Sequence, residues 1–362
     1  MGFVFAAFQV KFGAAAKAAW RLSSAVMPPI GQSQMKVRFR WVGCGVVLII
    51  LVSLAVWGWV PSSASGANCR LTGNGAWISV DWTSLPVDET KVAELAEHAT
   101  ARDLHYLFPY TTYVKSDGTF SPSYDHAAEF VSRFRQHNQE TRLLAWVGIP
   151  LENDRKLGIQ GWVDLSDEGE RQTIVAFVET LVDEADFDGV HLNVETVRDG
   201  DRSYLLLLEE VRDAIGPGRI LSVAGSYWLP KALNELPFAE GFKWSGEYYG
   251  AVANQVDQIA TMTYDSLMLH PVLYRLWLRE QVRGIGRSLA DSEVELLIGI
   301  SVSRERTMTH RPSAENMESG LAGICAGLQG TKCKADGVTV YAAWEANESD
   351  WQIWETWLAG TD

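Results

Sequence analysis

Cysteine is scarce in this chain: four of its 362 residues are cysteines, at positions 44, 69, 325 and 333. No group of cysteines and histidines has the spacing of metal ligands, and no glycine-rich loop has the pattern that binds phosphate. No internal repeat is visible beyond an alternation of strands and helices. We therefore expect neither a metal centre nor a bound cofactor.

Acidic residues are absent from residues 1–60, although this segment contains six basic ones. Residues 41–60 form an apolar run that is interrupted only by Ser53 and a few glycines. A helix of about 20 such residues is long enough to cross a bilayer, and a basic flank stays in the cytoplasm. The pattern predicts a cytoplasmic segment at 1–40, a single-pass transmembrane anchor in the cell membrane at 41–60, and an exported remainder.

A cleaved signal sequence is the alternative interpretation of the same segment. If translation begins at Met35 rather than Met1, the basic residues up to Arg40 form the start of a signal peptide, and residues 62–64 supply small side chains for cleavage. The protein would then be secreted. The length of the apolar run favours the uncleaved anchor.

The exported residues are strongly acidic. Without residues 1–60, 25 Lys and Arg face 45 Asp and Glu, a net charge of −20. Such a charge argues against nucleic acid or anionic lipid as the ligand and suits a neutral or cationic polymer. One disulfide is expected among the exported cysteines. Cys325–Cys333 is the local pairing, and Cys69–Cys333 is the pairing across the first and last strands. The oligomeric state stays open.

After a linker at 61–75, apolar strand-like runs alternate with amphipathic segments about eight times. The predicted strands are Ala76–Val80, Leu104–Phe108, Leu143–Gly148, Gly189–Val194, Ile220–Ala224, Gln258–Met262, Leu296–Ile300 and Val338–Ala342. The predicted helices are Glu89–Ala101, Asp125–Gln136, Glu168–Ala185, Ser203–Ala214, Pro271–Arg287, Ala314–Leu328 and Ser349–Leu358. Eight strand–helix repeats predict an α/β fold, a closed parallel (β/α)8 TIM barrel over residues 76–362.

An open, doubly wound sheet is the alternative arrangement of the same elements. Polar and aromatic residues follow several predicted strands, as in Asp81-Trp82 and Asp265-Ser266. In a barrel the carboxyl ends of all strands meet on one face, which is the usual place for an active site. These residues therefore favour the barrel.

The predicted fourth strand carries the most informative pattern in the chain. Three apolar residues alternate there with an imidazole, an amide and a carboxylic acid: Val190, Leu192 and Val194 with His191, Asn193 and Glu195. A strand covered by helices in an α/β fold is normally apolar on both faces. Because polar groups inside a barrel are costly unless they bond to one another or to a ligand, the row predicts a reaction centre.

This strand resembles the fourth-strand signature of the family 18 glycoside hydrolases, the chitinases and their relatives, usually written D-x-x-D-x-D-x-E. Asp188 and Glu195 match that signature, whereas His191 and Asn193 stand where the family has Asp. Two further segments are similar to the family's sixth and eighth strands: Gln258–Asp265, which ends in M-x-Y-D, and Gly337–Glu345, which is rich in aromatic residues. The resemblance covers roughly residues 76–362.

The resemblance implies retaining hydrolysis of β-linked N-acetylhexosamine polymers, such as peptidoglycan or a chitin-like glycan. In this family the 2-acetamido oxygen of the substrate is the nucleophile. Glu195 would be the general acid/base, Asn193 would orient the acetamide, and Tyr264 would hold its carbonyl oxygen. An amide can steer an acetamide by hydrogen bonds but cannot pair with positive charge as Asp does. Catalysis with Asn193 is therefore expected to be slower.

Six further residues at predicted strand ends are candidates for substrate binding: Asp265, Met262, Tyr341, Trp344, Tyr110 and Trp82. Tyr341 and Trp344 compete for the role of an apolar floor beneath the sugar. Asp188 is expected to brace the start of the fourth strand. His191 is expected to fill a hydrogen-bonded core position or, alternatively, to bond to Asn193.

Two other expectations follow from the sequence. Trp351, Trp354 and Trp357 recur every third residue in the last predicted helix, which favours packing against the barrel over sugar binding. The two departures in the fourth strand leave a second hypothesis for the whole protein, a catalytically inactive carbohydrate-binding barrel tethered to the membrane.

Overall fold

The computed structural model describes residues 69–152, 161–229, 243–329 and 333–360. The predicted cytoplasmic segment, the anchor at 41–60 and the cleavage site lie outside these residues. Within them, no helix has both the length and the apolar character needed to span a membrane.

Eight parallel strands close into a barrel, as predicted. In chain order the strands are β1 (Asn74–Ile78), β2 (Leu104–Tyr113), β3 (Arg142–Pro150), β4 (Gly189–Glu195), β5 (Ile220–Gly225), the short β6 (Tyr227–Trp228) and β7 (Lys243–Trp244), β8 (Gln258–Thr261), β9 (Glu295–Ser301) and β10 (Gly337–Tyr341). Around the barrel the order is β1-β10-β9-β8-β5-β4-β3-β2, while β6 and β7 pair separately. The alternative of an open sheet is wrong, because β1 pairs with both β2 and β10.

The helices follow the strands in the expected alternation. They are α1 (Asp81–Ser84), α2 (Glu89–Ala101), α3 (Ala127–His137), α4 (Glu168–Glu184), α5 (Arg202–Ile215), α6 (Gly246–Ala253), α7 (Pro271–Ser288), α8 (Met317–Leu328) and α9 (Glu348–Ala359). Several begin with a side chain that accepts the orphan N–H groups of the first turn. Asp88, for example, accepts from the backbone N–H groups of Thr90 and Lys91.

The ends of β1 and β2 differ from the prediction because buried polar side chains extend both strands. β1 begins at Asn74, within the range assigned to the linker, and the Asn74 side chain bonds to Leu71 and Val338. β2 continues five residues past Phe108. Its buried Thr111 and Thr112 hydroxyls donate to backbone carbonyl groups. A search for alternating apolar residues does not detect strand positions that hold buried, hydrogen-bonded polar side chains.

The sequence prediction missed the elements that follow β5. The pair β6 and β7 and the helix α6 all lie in this region. The Ser245 side chain caps α6 by accepting from the N–H of Tyr248, but the helix is only eight residues long. Short helices have weak periodic signals, so the prediction left this stretch unassigned.

The two faces of β4 lie in different environments. Val190, Leu192 and Val194 are buried in the large apolar cluster between the strands and the helices. The alternate residues point into the barrel, whose interior is filled by a second and more aromatic cluster: Trp77, Phe108, Leu144, Trp146, Ala260, Tyr264 and Leu297. The polar row of β4 therefore faces the barrel interior, as the alternation predicted.

Asp188 belongs to a repeated backbone brace. Its carboxylate, one residue before β4, accepts the N–H of Leu143 at 2.9 Å. Two other acids precede strands and do the same for the neighbouring strand: Asp257 accepts from Leu221 at 2.7 Å and Asp336 from Leu296 at 2.8 Å. Three equivalent positions with one geometry indicate that Asp188 sets strand register at the amino-terminal end of the barrel.

The disulfide joins Cys69 to Cys325, and both predicted pairings are wrong. The Cα atoms of the two cysteines lie 5.1 Å apart, although 256 residues separate them in sequence. The bond runs from a residue five positions before the start of β1 to the helix α8. Cys333 lies beyond that helix and contacts the carbonyl oxygen of Gly327 instead. The disulfide therefore links helix α8 to the segment that precedes β1.

The tryptophan stripe of α9 packs against the barrel, as expected. Trp354 is fully buried and Trp357 nearly so. Trp354 donates to the carbonyl oxygen of Arg102 at 2.9 Å, and the Arg102 guanidinium lies over the Trp351 ring at 4.1 Å. This cation–π contact holds the Trp351 ring against Arg102.

Candidate active site

Asn193 and Glu195 contact each other at the carboxyl end of β4. The Asn193 amide nitrogen donates to Oε1 of Glu195 at 3.0 Å. The other amide atom, Asn193 Oδ1, is buried and has no hydrogen-bond partner among the residues that the structure describes. Buried polar atoms are rarely left in this state. An acceptor therefore lies beside the carboxylic acid and is available to a donor on a ligand.

The Glu195 carboxyl group is arranged to hold a proton. Burial raises its pKa, the hydrogen bond from Asn193 lowers it, and the negative charge of Asp265 raises it again, with a net upward shift. A carboxyl group with a raised pKa can act as a general acid near neutral pH.

Aromatic side chains from several strands form the floor around Glu195. Tyr264 and Tyr341 stack with their ring centroids 4.8 Å apart and their planes 4° from parallel. Trp77 meets both rings edge-on at 6.1 Å, and Trp344 meets Tyr341 edge-on at 5.6 Å. Tyr341 and Trp344, the two predicted competitors for the floor, therefore lie side by side.

Tyr110 belongs to the same aromatic group but lies inside β2 rather than after it. Its ring meets that of Trp146 edge-on at 4.7 Å. Burial raises the pKa of the Tyr110 hydroxyl, and the charges of Tyr113 and Glu195 raise it further. A neutral phenol next to Glu195 can donate to a bound sugar.

His191 lies deeper in the barrel and is fully buried. Its Nε2 accepts from the indole N–H of Trp77 at 3.0 Å, so Nδ1 carries the proton and donates to Ser222 Oγ at 2.9 Å. Ser222 donates in turn to Gln258, and Gln258 to Glu295. Every donor in this row has an acceptor, and burial lowers the pKa of His191 to about 3. Of the two roles expected for His191, the structure favours the hydrogen-bonded core position.

The segment Tyr264–Ser266 follows β8 and has a dense set of partners that the sequence did not indicate. The Glu315 carboxylate accepts the N–H groups of Asp265 and Ser266 at 2.7 and 3.0 Å. The hydroxyl of Tyr227 donates to the carbonyl oxygens of Tyr264 and Asp265 at 2.7 and 2.9 Å. Asp265 adopts a left-handed backbone conformation with φ 58°.

His310 joins this segment to Glu315. Its Nδ1 lies 3.0 Å from a Glu315 oxygen and 3.4 Å from an Asp265 oxygen, and its Nε2 donates to the carbonyl oxygen of Ser303. Burial lowers the pKa of His310, but hydrogen bonds to Asp265 and Glu315 outweigh burial and raise it to about 10. His310 is therefore a buried cation between two carboxylates. Among the described residues, these three side chains also lie close enough together to hold a metal ion.

The remaining predicted residues lie in different places. Met262 lines the edge of the aromatic interior and bonds through its N–H to Gly225. Trp82 does not join the aromatic floor, because it lies on α1 and packs against Phe130 at 5.7 Å in the outer layer. Trp77, five residues earlier in β1, occupies the inward position instead.

Sequence reasoning missed Trp77, Tyr227, His310 and Glu315. Strand periodicity could have identified Trp77, because its neighbours Ala76 and Ile78 are the outward residues of a predicted strand. Tyr227 follows the fifth barrel strand, and its place at a strand end is a signal that could have identified it. His310 and Glu315 lie in the long connection between β9 and α8. His310 belongs to no predicted element, and Glu315 falls in the predicted helix Ala314–Leu328, which begins later, at Met317.

Comparison with known proteins gives structural matches only. No family model matches the chain, and no curated protein matches its sequence. The fold is similar to the spore cortex-lytic enzyme SleL of Bacillus cereus, with TM-score 0.52, 14% identity, and coverage of 79% of this chain and 74% of that one. A class V chitinase from Pseudomonas fluorescens Pf-5 gives TM-score 0.54 and 14% identity over 78% and 98% of the two chains.

A chitinase from Chromobacterium violaceum ATCC 12472 is similar to the same degree, with TM-score 0.52 and 14% identity over 79% of this chain and 99% of that one. The resemblance to chitinase-like barrels, predicted from three short motifs, is thus confirmed at the level of the fold.

Proposed function

We propose that this protein is a glycoside hydrolase that acts on polymers of β-linked N-acetylhexosamine by a retaining, substrate-assisted reaction. Glu195 protonates the leaving oxygen while the acetamido oxygen of the substrate attacks the anomeric carbon. The resulting oxazolinium ion is opened by water, which Glu195 deprotonates as general base. The proton that Glu195 gives to the leaving group is thereby recovered.

One observation carries this proposal: the unpartnered, buried Oδ1 of Asn193 beside Glu195. The group that completes it must be a hydrogen-bond donor located next to the acid. The N–H of a 2-acetamido group fits, because accepting that N–H leaves the acetamide carbonyl directed at the anomeric carbon. A sugar hydroxyl could also donate, but it would leave no nucleophile in place.

The surrounding side chains support the same substrate class. Tyr264 has a neutral phenol, since burial and the nearby charges of Tyr341, Asp265 and Glu195 raise its pKa. Its hydroxyl can donate to the acetamide carbonyl, and Tyr341 and Trp344 provide apolar surface for a sugar ring. Asp265 and Met262 would line the same subsite. Family likeness in fold supports the glycan as substrate, although fold alone does not establish activity.

We further propose that the barrel acts outside the cytoplasm, held by an anchor at residues 41–60 or released by cleavage after it. The disulfide between Cys69 and Cys325 supports an oxidising compartment. The net charge of −20 after residue 60 favours a neutral glycan over an anionic ligand.

Incubation of the full chain with N-acetylglucosamine oligomers and with purified peptidoglycan tests the proposal. New reducing ends are expected with the parent protein, and Glu195→Gln should reduce their formation by about 10²- to 10⁴-fold. Glu318→Gln, an exposed change on α8, is the matched control. Equal rates for the parent and Glu195→Gln would refute the assigned role of Glu195.

A carbohydrate-binding protein without activity is the second candidate, and one observation favours it. The other two polar positions on the inward face of β4 hold an amide, Asn193, and a neutral imidazole, His191, so no second carboxylate on that strand stabilises positive charge. Micromolar oligosaccharide binding without cleavage at any pH between about 4 and 8 would support this candidate.

A further inference from the structure

Glu315 and His310 lie in the connection between β9 and α8 and contact the segment Tyr264–Ser266. That segment carries two of the candidate substrate contacts, Tyr264 and Asp265. The Glu315 carboxylate accepts two consecutive backbone N–H groups, those of Asp265 and Ser266, and also the Ser266 hydroxyl at 2.7 Å. Glu315 is fully buried. A buried carboxylate is costly unless its oxygens are bonded and its charge is paired. Here three donors and the His310 cation satisfy both conditions.

The hydrogen bonds of Glu315 hold an unusual backbone conformation at Asp265. Asp265 has φ 58°, a left-handed conformation that is unfavourable for a residue with a side chain. The two N–H groups held by Glu315 flank this strained unit, and Tyr227 holds the carbonyl groups of Tyr264 and Asp265. Hydrogen bonds with Glu315 and Tyr227 therefore hold the backbone that carries the side chains of Tyr264 and Asp265.

His310 adds control over the Asp265 side chain. Its ring lies 3.4 Å from Asp265 Oδ1 and 3.0 Å from Glu315, and its other nitrogen is anchored to Ser303. One Asp265 oxygen is thus directed away from the sugar site by a cation.

We propose that Glu315 and His310 are positioning residues, which keep Asp265 left-handed so that the Tyr264 hydroxyl and the Asp265 carboxylate meet the acetamido sugar in its reactive pose. The proposal rests on the proposed function for its substrate, since it deepens the role of the same site. Neither residue contacts the substrate. Their effect passes through the Tyr264–Ser266 backbone.

Two variants test the proposal against matched controls. Glu315→Gln keeps the size but replaces an acceptor by a donor facing the backbone N–H groups. His310→Gln keeps a donor but removes the charge. The controls are Glu318→Gln on α8 and His105→Gln, whose ring is half-exposed beside Asp103. All four are made in the full chain and assayed where circular dichroism matches the parent protein.

The expected kinetic result separates positioning from general stability. Misplacement of reacting groups by about 1 Å can cost 10²-fold in rate, so kcat should fall about 10- to 100-fold in Glu315→Gln and His310→Gln. KM should change less than about threefold, because the aromatic floor that binds the ring is intact. The controls should keep both parameters. Unchanged kcat in Glu315→Gln would overturn the proposal.

A second measurement needs no substrate and keeps the two proposals distinguishable. Amide hydrogen exchange should be faster by at least about tenfold at Asp265, at Ser266 or at both in Glu315→Gln, because the two N–H groups use different carboxylate oxygens and glutamine keeps only one of them. Exchange should not change in Glu318→Gln. If the parent protein cleaves no glycan but this difference appears, the proposed function fails and the backbone restraint stands. If exchange is unchanged, the positioning proposal fails whether or not the protein is an enzyme.

Where Glu315→Gln does not fold, Ser266→Ala gives a second test, because it removes the hydroxyl that donates to Glu315 and leaves the two backbone N–H contacts with Glu315. A smaller drop in kcat with unchanged KM is then expected, and unchanged kcat would overturn the proposal. Titration of the parent protein with Zn²⁺ and with Mg²⁺ gives an independent check. Stoichiometric binding that His310→Gln abolishes would assign a cation site and overturn the positioning role.

Discussion

The indole N–H of Trp77 donates to Nε2 of His191 across the barrel interior, at 3.0 Å. This bond fixes the tautomer of a fully buried histidine, because the proton must then lie on Nδ1, facing Ser222. His191 is neutral and its ring cannot supply charge to Glu195. The imidazole therefore serves the core of the barrel, two residues away from the amide that bonds to the acid.

Acid sensitivity of the fold should follow from His191. Burial lowers the pKa of this residue to about 3, whereas an unfolded histidine titrates near 6.5. The unfolded chain therefore takes up a proton that the folded chain does not, so the stabilisation is present above about pH 6.5 and is lost as pH falls towards 3. His191→Gln should flatten the decline in unfolding free energy between pH 7 and pH 4, measured by urea titration. His105→Gln should keep the parent slope; an identical slope in His191→Gln would contradict the assignment.

The pH dependence of activity should respond to Asp265. Burial and the Asp265 charge raise the pKa of Glu195, and activity requires its protonated form. Asp265→Asn removes a nearby negative charge, so the Glu195 pKa should fall and the alkaline limb of kcat/KM should move to lower pH. A pH–rate profile measures this shift. Asp117→Asn, on an exposed turn, should leave the limb in place, and a shift to higher pH in Asp265→Asn would show that another group controls it.

Asn193 should limit kcat rather than the affinity for substrate. Asn193→Asp replaces the amide by a group that can pair with the oxazolinium ion, so kcat is expected to rise several-fold, whereas Asn193→Leu should lower it by about 10²-fold. The added Asp charge next to Glu195 should also move the alkaline limb to higher pH. Steady-state kinetics on N-acetylglucosamine oligomers provides the measurement. Loss of activity in both variants would mean that the amide itself is required.

Cys69 and Cys325 should stabilise the barrel strongly. The bond closes a loop with a sequence separation of 256 residues, and a cross-link of this length removes about 5–6 kcal/mol of chain entropy from the unfolded state. Cys69→Ser is expected to lower the melting temperature, measured by calorimetry under non-reducing conditions. Cys333→Ser leaves that bond intact and is the control. A larger loss in Cys333→Ser would favour the local pairing instead.

Most of the barrel could be predicted because its signals are local. Each of the eight strands has its own run of apolar residues, and β4 reveals both of its faces through alternation within seven residues. The elements that were missed, α6 and the pair β6–β7, are short and carry no complete period. The sequence also indicated the candidate site residues Glu195, Asn193, Tyr264 and Asp265, since each lies within a recognisable strand-end motif.

What the sequence alone determined is the identity and order of the chemical groups: an acid and an amide two positions apart on one strand, and a Tyr-Asp pair on another. The tertiary structure decided which partners those groups have. Asn193 keeps one unpaired acceptor, His191 bonds to Trp77 instead of Asn193, and Cys69 pairs with Cys325. Glu315 reaches back to Asp265 from 50 residues along the chain. Such contacts depend on how distant loops meet at the end of the barrel, and no local sequence pattern predicts them.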